Sequence, residues 1–179
     1  LVSLTNWTEF RRAFVADGNA TTDLANAVAG FFANGGRRCY VVNIGASGSL
    51  AGTGRGRSGL DLLEEADDVA IVAAPGLCDA GDHDLLLGHC ERLEDRVAIL
   101  DPPAEVTDLD RLKKVATVSA AKADEGGENP ASGGSRKKTG LRPRQSDRGF
   151  GAFYYPWIVA RNALDPSKFV PVPPSGHLA

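Results

Sequence analysis

The 179-residue sequence contains no methionine. Leu1 is therefore not expected to be a translational start, and the chain is read as part of a longer one. It also lacks any apolar run near the ~18 residues that a membrane-spanning helix needs, and it has no signal-peptide pattern. Cysteine is scarce. An odd set of three, Cys39, Cys78 and Cys90, without paired spacing argues against a disulfide framework, and each reads as a buried free thiol. Neither sign of charge dominates: 20 Lys and Arg against 23 Asp and Glu leave a net charge of −3, so bulk attraction to nucleic acid or an anionic membrane is not expected. Hydrophobic residues at 42% are enough for a real core, and the whole of 1–179 reads as a single domain. Assembly in the cytoplasm, or release by a route other than signal-directed secretion, follows as the expectation.

Regular elements then emerge from periodicity. Asn6 stands three positions before Glu9, a capping-box pattern, and Trp7, Phe10 and Phe14 recur at helical spacing up to Asp17-Gly18. A second helix is predicted from about Thr21-Thr22-Asp23, with Leu24, Val28, Phe31 and Phe32 on its apolar face. Asn34-Gly35-Gly36 supplies positive φ at its end. Three short β-branched runs follow: Cys39–Ile44, Val69–Ala74 and Arg96–Asp101, the last two stopped by Pro75-Gly76 and Pro102-Pro103. Helical patterns separate them: one over Gly59–Glu65 capped by Ser58, one with Leu86, Cys90 and Leu93 on a face, and one with Leu109, Leu112 and Ala116 after Thr107. Strands alternating with helices of this length predict an α/β fold with a mainly parallel sheet flanked by helices. Residues 122–149, rich in Gly, Ser and basic residues, predict a flexible surface loop. Phe150–Val159 is the most aromatic stretch, and Pro156 predicts that its strand ends there or lies at an edge.

Candidate chemistry is weak throughout. Gly54-Arg55-Gly56-Arg57-Ser58-Gly59 fits G-x-G-x-x-G with Asp79 about twenty residues on, the alternative reading being a nucleotide-binding enzyme. A dinucleotide site needs its first glycine directly after the strand, whereas Gly45–Thr53 intervene here. Cys78, His83, His89 and Cys90 suggest a metal site, but adjacent His89 and Cys90 point about 100° apart on a helix. The cysteines are expected buried and the histidines partly exposed. Asp82, His83 and Asp84 with Ser47 or Ser49 could be drawn as a hydrolase triad, yet no G-x-S-x-G elbow holds the serine. Glu64, Glu65, Asp67 and Asp68 read as a solvated face. Tyr154, Tyr155 and Trp157 could stack a base or a sugar, but read first as core or interface. No catalytic residue, cofactor or metal is assigned, and the chain is read as a non-enzyme.

Several segments together resemble the tail sheath family of contractile phages and related contractile injection systems. They are Leu4–Phe10 with Trp7 and Phe10; Phe31–Val42 with Phe31, Phe32, Gly35, Gly36 and Tyr40; and Asp68–Gly76 ending in Pro75 and Gly76. Arg96–Pro102 ending in Asp101 and Pro102, then Tyr154-Tyr155-Pro156-Trp157, and Val172–His177 with Pro173, Pro174, Ser175 and Gly176 complete the set. Their order and spacing carry the likeness. Residues 122–149 depart from the family, and the Gly45–Gly59 loop is unusually rich in glycine. The resemblance implies a structural subunit that polymerises around an inner tube and contracts to drive the tube through a target membrane. It implies assembly in the cytoplasm into a virion tail or phage-tail-like particle. The implied partners are other sheath subunits, the inner tube protein, and baseplate and cap proteins, with no nucleic acid and no small-molecule substrate. It also implies that N- and C-terminal extensions of neighbouring subunits complete the sheet, so that the fold is incomplete in this chain alone.

Overall fold

The computed structural model describes residues 1–16, 21–45, 48–52, 56–117 and 140–179. It is a mixed α/β arrangement with a parallel three-stranded sheet and two small antiparallel pairs.

The N-terminal part contains β1 (Val2–Leu4), α1 (Trp7–Phe14), α2 (Asp23–Ala33) and β2 (Cys39–Val41). Asn6 caps α1 by accepting the Glu9 amide at 3.0 Å, while the Glu9 carboxylate turns back to the Thr5 amide at 2.7 Å. Thr22 caps α2 through the Ala25 amide at 3.1 Å. β1 and β2 run antiparallel, Ser3 opposite Tyr40. Leu4, Phe10, Ala25, Val28 and Val41 form a core between this pair and the two helices.

The second unit begins with a 3₁₀ helix at Gly59–Glu65, followed by β3 (Ile71–Ala73), α3 (Ala80–Leu93), β4 (Val97–Leu100) and, after a second 3₁₀ helix at Leu109–Lys113, β5 (Gly151–Phe153). The strands are parallel in the order β3-β4-β5, with Ile71 opposite Val97 and Ile99 opposite Ala152. Leu86, Leu87 and Cys90 of α3 pack with Val72, Ala98 and Leu100 in one apolar core. Arg96 opens β4 as a buried guanidinium. It donates to the Leu63 carbonyl at 2.9 Å and to the Asp95 carboxylate at 2.6 Å, tying the first 3₁₀ helix to the sheet.

The chain closes with the antiparallel pair β6 (Ile158–Arg161) and β7 (Phe169–Val172), then the short helix α4 (Ser175–Leu178). α4 lies against α2 and β4.

Three expectations need correction. The sheet is not mainly one parallel unit, because the Cys39–Ile44 run pairs only over Cys39–Val41, and with β1 in the antiparallel sense. β1 is too short to show a period-2 signal. The aromatic run is two strands, not one: β5 stops at Phe153 and β6 starts at Ile158, with the cis Tyr155–Pro156 peptide between them. The segment after Thr107 is a single 3₁₀ turn capped by Asp108, whose carboxylate accepts the Asp110 amide at 3.1 Å. Of residues 122–149, those up to 139 lie outside the described residues. Beyond them, Pro143 is buried and Arg144 bonds Asp84 and Glu91 of α3.

Between the two cores lies an open, largely apolar cleft of about 960 Å³, lined by Phe10, Val28 and Val41 of the first core and by Leu60, Val72 and Ile44 of the second core and its surround. Arg38 reaches Asp68 across it at 3.2 Å.

Two glycines test the packing in opposite directions. A Cβ at Gly176 would collide with the backbone of Ala27, which cannot swing aside, whereas a Cβ at Gly88 in α3 meets nothing. Gly176→Ala is expected to destabilise the protein by about 1–3 kcal/mol through overpacking. Gly88→Ala is expected to stabilise it by about 0.5–1 kcal/mol through helix propensity. Urea denaturation of the two variants beside the parent checks both signs.

Candidate functional site

β4 leads into Pro102-Pro103, and a proline has no N–H for a ladder, so the chain leaves the sheet at Asp101. The Asp101 side chain is enclosed, the residue being 1% exposed. A buried carboxylate must find donors, and this one finds three. Oδ1 accepts the Ser175 amide at 3.0 Å; Oδ2 accepts the Ser175 hydroxyl at 2.7 Å and, at 3.4 Å, the Gly76 amide. Gly76 sits at φ 81°, and a side chain there would run into Asp23. Glycine is therefore required for the turn to offer its amide.

The same corner carries two further bonds. The backbone carbonyl of Asp101 accepts from His83 Nε2 at 2.9 Å, which places the proton of the neutral ring on that nitrogen. The Trp157 indole donates to the Pro102 carbonyl at 2.7 Å. Ser175 opens α4, Gly176 fits against Ala27, and the His177 ring lies on Gly30. One carboxylate thus gathers the Pro75-Gly76 turn, the end of β4 and the Pro174-Ser175-Gly176 segment, with Trp157 bonded alongside.

Burial pushes the Asp101 carboxyl above its ordinary value. The bonds from Ser175 and Gly76 oppose the rise, and the neighbouring Asp23 charge adds to it. Asp23 is itself pushed up by burial. A carboxyl raised in the folded state contributes stability that is complete below its unfolded value of 3.8 and is lost as pH rises through the folded value.

The remaining residues singled out by sequence lie elsewhere. Trp7 stacks on Phe10 at 5.1 Å, both in the N-terminal core region. Phe31 meets Phe32 edge to face at 5.2 Å, and Gly35 takes φ 96° after α2. Gly36 lies against the Phe31 ring, and Tyr40 stands beside Arg38 and Asp68 at the cleft. Tyr154 and Tyr155 are exposed, at 44% and 43%, in the segment before Pro156 that links β5 to β6, rather than filling the core. Pro173 and Pro174 are buried beneath the turn into α4.

The candidate constellations resolve as follows. Gly54, Arg55 and Ser47 lie outside the described residues. Gly59 opens a 3₁₀ helix at φ 59°, and a Cβ there would run into the Leu50 carbonyl, which accepts the Leu60 amide at 2.9 Å. His83 and His89 are not partly exposed but buried, at 1% and 3%, because both fall on the face of α3 that meets the sheet and the 3₁₀ helix. His83 thereby bonds inward while Asp84 turns outward to Arg144. Cys90 is buried, and its thiol is pushed up to about 11 by desolvation. Cys39 and Cys78 are only half-buried, and burial pushes the Cys39 thiol up to about 11 as well. Among the described residues no three His, Cys, Asp or Glu side chains are placed to hold a metal ion. Glu64 is not merely solvated: Arg92 reaches it at 2.6 Å and Arg57 at 3.3 Å.

Sequence reasoning missed Arg96, Asn26 and Arg144. The buried Asn26 carbonyl oxygen accepts the Ala163 amide at 3.0 Å and ties α2 to the β6–β7 turn. Arg96 left a faint signal, a cation opening an otherwise apolar strand run. Asn26 broke no pattern, and Arg144 falls within the basic stretch of 122–149 that reads as a flexible surface loop, whereas it is tied to α3. A scan against protein-family models finds no match, and no curated protein matches the sequence.

Removing one partner of a buried hydrogen-bonded pair strands the other, at about 1–3 kcal/mol for each orphaned group. Asp101→Ala is expected to cost more than Ser175→Ala, since it abandons three donors, whereas Ser175→Ala removes one hydroxyl bond and leaves the Ser175 and Gly76 amides on the carboxylate. A double-mutant cycle in denaturant should return a coupling of about 0.5–3 kcal/mol. Additive losses would show that the two side chains do not depend on each other.

Proposed function

We propose that this protein is a structural subunit of a contractile tail sheath, a mechanical part that polymerises around an inner tube and contracts to drive it through a target membrane. One observation supports the reading above the others. The segments that carry the family resemblance are remote in sequence, yet four of them meet at Asp101: Pro75-Gly76, Asp101-Pro102, Trp157 and Ser175-Gly176. Motif residues that converge on a buried packing node are what a subunit needs if it moves as a rigid body. A substrate site would instead direct such groups at a solvent-open cavity. The α/β body also suits a subunit whose sheet is completed by extensions from neighbours, since among the described residues β2 pairs only with β1 and β3 only with β4. In this reading the partners are further copies of the subunit, the tube protein, and baseplate and cap proteins, in a virion tail or phage-tail-like particle assembled in the cytoplasm. No helix among the described residues is long and apolar enough to cross a membrane.

Electron microscopy of the full-length protein co-expressed with the products of its neighbouring genes tests this. Tubular particles in two states, one long and narrow and one short and wide, are expected. Particles without a sheath layer, with this protein left as a soluble monomer, would overturn the proposal.

A further inference from the structure

Among the described residues, the buried side-chain nitrogens and oxygens without a protein hydrogen-bond partner are all histidine ring nitrogens: His83 Nδ1, both nitrogens of His89, and His177 Nδ1. Two of these rings, His83 and His89, lie on the buried face of α3, interleaved with Leu86, Leu87 and Cys90. Each is enclosed by different neighbours. His83 is held by the Asp101 carbonyl from the end of β4, meets Phe153 of β5 edge to face at 5.9 Å, and feels the Asp79 charge at the start of α3. His89 faces Arg96 at the start of β4, Arg92 on its own helix, and Glu64 and Asp61 from the 3₁₀ helix. Glu64 is already engaged by Arg92 and Arg57, and Arg96 by Asp95 and the Leu63 carbonyl.

We propose that His83 and His89 make the seating of α3 on the three-stranded sheet acid-sensitive, so that a proton on either ring loosens the helix from β4. For His83, a proton would sit on the bare Nδ1, buried and facing no acceptor. For His89, the new cation would sit beside the fixed charges of Arg96 and Arg92; of the carboxylates that face it, Glu64 is held by Arg92 and Arg57 and Asp95 by Arg96, which leaves Asp61 to oppose the repulsion. Burial depresses both rings, aided at His89 by Arg96 and Arg92 and resisted at His83 by the Asp101 bond. A base depressed in the folded state contributes stability that is whole above its unfolded value of 6.5 and is lost as pH falls below it. His177, depressed by burial on α4, adds in the same direction. Asp101, Asp82 and Asp23 are raised and act in the opposite sense, gaining stability as pH falls towards 3.8. The depressed carboxylates, among them Glu64, Glu91 and Asp95, give up their share only below about their ordinary 3.8–4.5 range. The window from pH 6.5 to 5.5 therefore isolates the histidines from those carboxylates. This inference concerns the body of the chain and stands apart from the sheath reading.

The test is urea denaturation at pH 7.5, 6.5 and 5.5 of the parent and of H83Q, H89Q and the double variant. Each depressed histidine can raise the unfolding constant by at most roughly five-fold between pH 6.5 and 5.5, and the pair by about thirty-fold. The parent is expected to show a rise of up to that size, each single variant a smaller one, and the double variant only the part owed to His177, offset by the raised carboxyls of Asp101, Asp82 and Asp23. Equal pH dependence in the parent and the double variant would overturn the proposal. If the glutamine variants do not fold, the histidine Cε1 resonances of the parent decide. Titration below 6.5, accompanied by loss of amide protection along α3, supports the device; titration at or above 6.5 with α3 protection unchanged refutes it.

Discussion

The structure depends on a carboxylate that water does not reach. Asp101 accepts from both the amide and the hydroxyl of Ser175 and from the Gly76 amide, and its own carbonyl holds His83. Apolar contacts alone would leave α4 poorly fixed, because a helix of four residues has little area to bury and cannot sustain itself by its own backbone bonds. The directional bonds to Asp101 set its position. The close fits of Gly176 on Ala27 and of His177 on Gly30 then follow, since each tolerates only one register of α4 against α2. β7 ends at Val172, fully buried just before α4, so the hairpin is placed by the same anchor.

The rest of the molecule repeats this division of labour. Two apolar cores supply the bulk of the stabilisation, one under β1–β2 and one under β3-β4-β5. They are separated by the cleft, and what spans the chain between elements is polar. Arg38 bonds Asp68 across the cleft, Asn26 bonds the amide of Ala163, and Arg96 bonds the carbonyls of the 3₁₀ helix. Arg144 clips the segment before β5 onto α3 through two carboxylates. The buried members of this set cost desolvation and recover it only in one geometry, so they specify arrangement more than they add stability. The exposed pair Arg38–Asp68 adds little energy and serves mainly as a tether.

Periodicity carried the helices well, because Asn6 and Thr22 announce their caps and the apolar residues of α1, α2 and α3 recur at helical spacing. It also carried the neighbourhoods of β3 and β4, since Val69–Ala74 and Arg96–Asp101 are β-branched runs closed by proline. The small antiparallel pairs were not legible. Three residues of β1 cannot show an alternation, and Phe169-Val170-Pro171-Val172 contains a proline that lowers its strand signal although an edge position accepts it. The segments Gly59–Glu65 and Leu109–Lys113 read as helical patterns, and stretches of seven and five residues are too short for the apolar spacing to tell the 3₁₀ period from the α period. The histidines were misjudged because each was weighed as a type, usually half-exposed, and not by its place on the buried face of α3. The Asp101 node was half legible. The motif Asp101-Pro102 and the motif Pro174-Ser175-Gly176 both stood out, but only the coordinates pair a carboxylate with a serine 74 residues away.

This partition between apolar bulk and polar ties has a mechanical consequence. Apolar attraction is proportional to area and has no preferred direction, so an interface built from it alone can slide while keeping much of its stability. Hydrogen bonds to enclosed groups lose their value within fractions of an ångström and resist such sliding. Inside this chain, the joints at Asp101, Asn26 and Arg96 are of the second kind, and they hold α2, α4, the β6–β7 pair, β4 and the first 3₁₀ helix in one register. The apolar surface left exposed, Val159 and Phe169 on the outer face of the hairpin and Ile71 and Val97 at the start of the parallel sheet, is of the first kind. A body that is stiff within and adjustable at its surface can transmit load while its contacts with neighbours are exchanged. That is the physical demand the proposed role places on a single subunit.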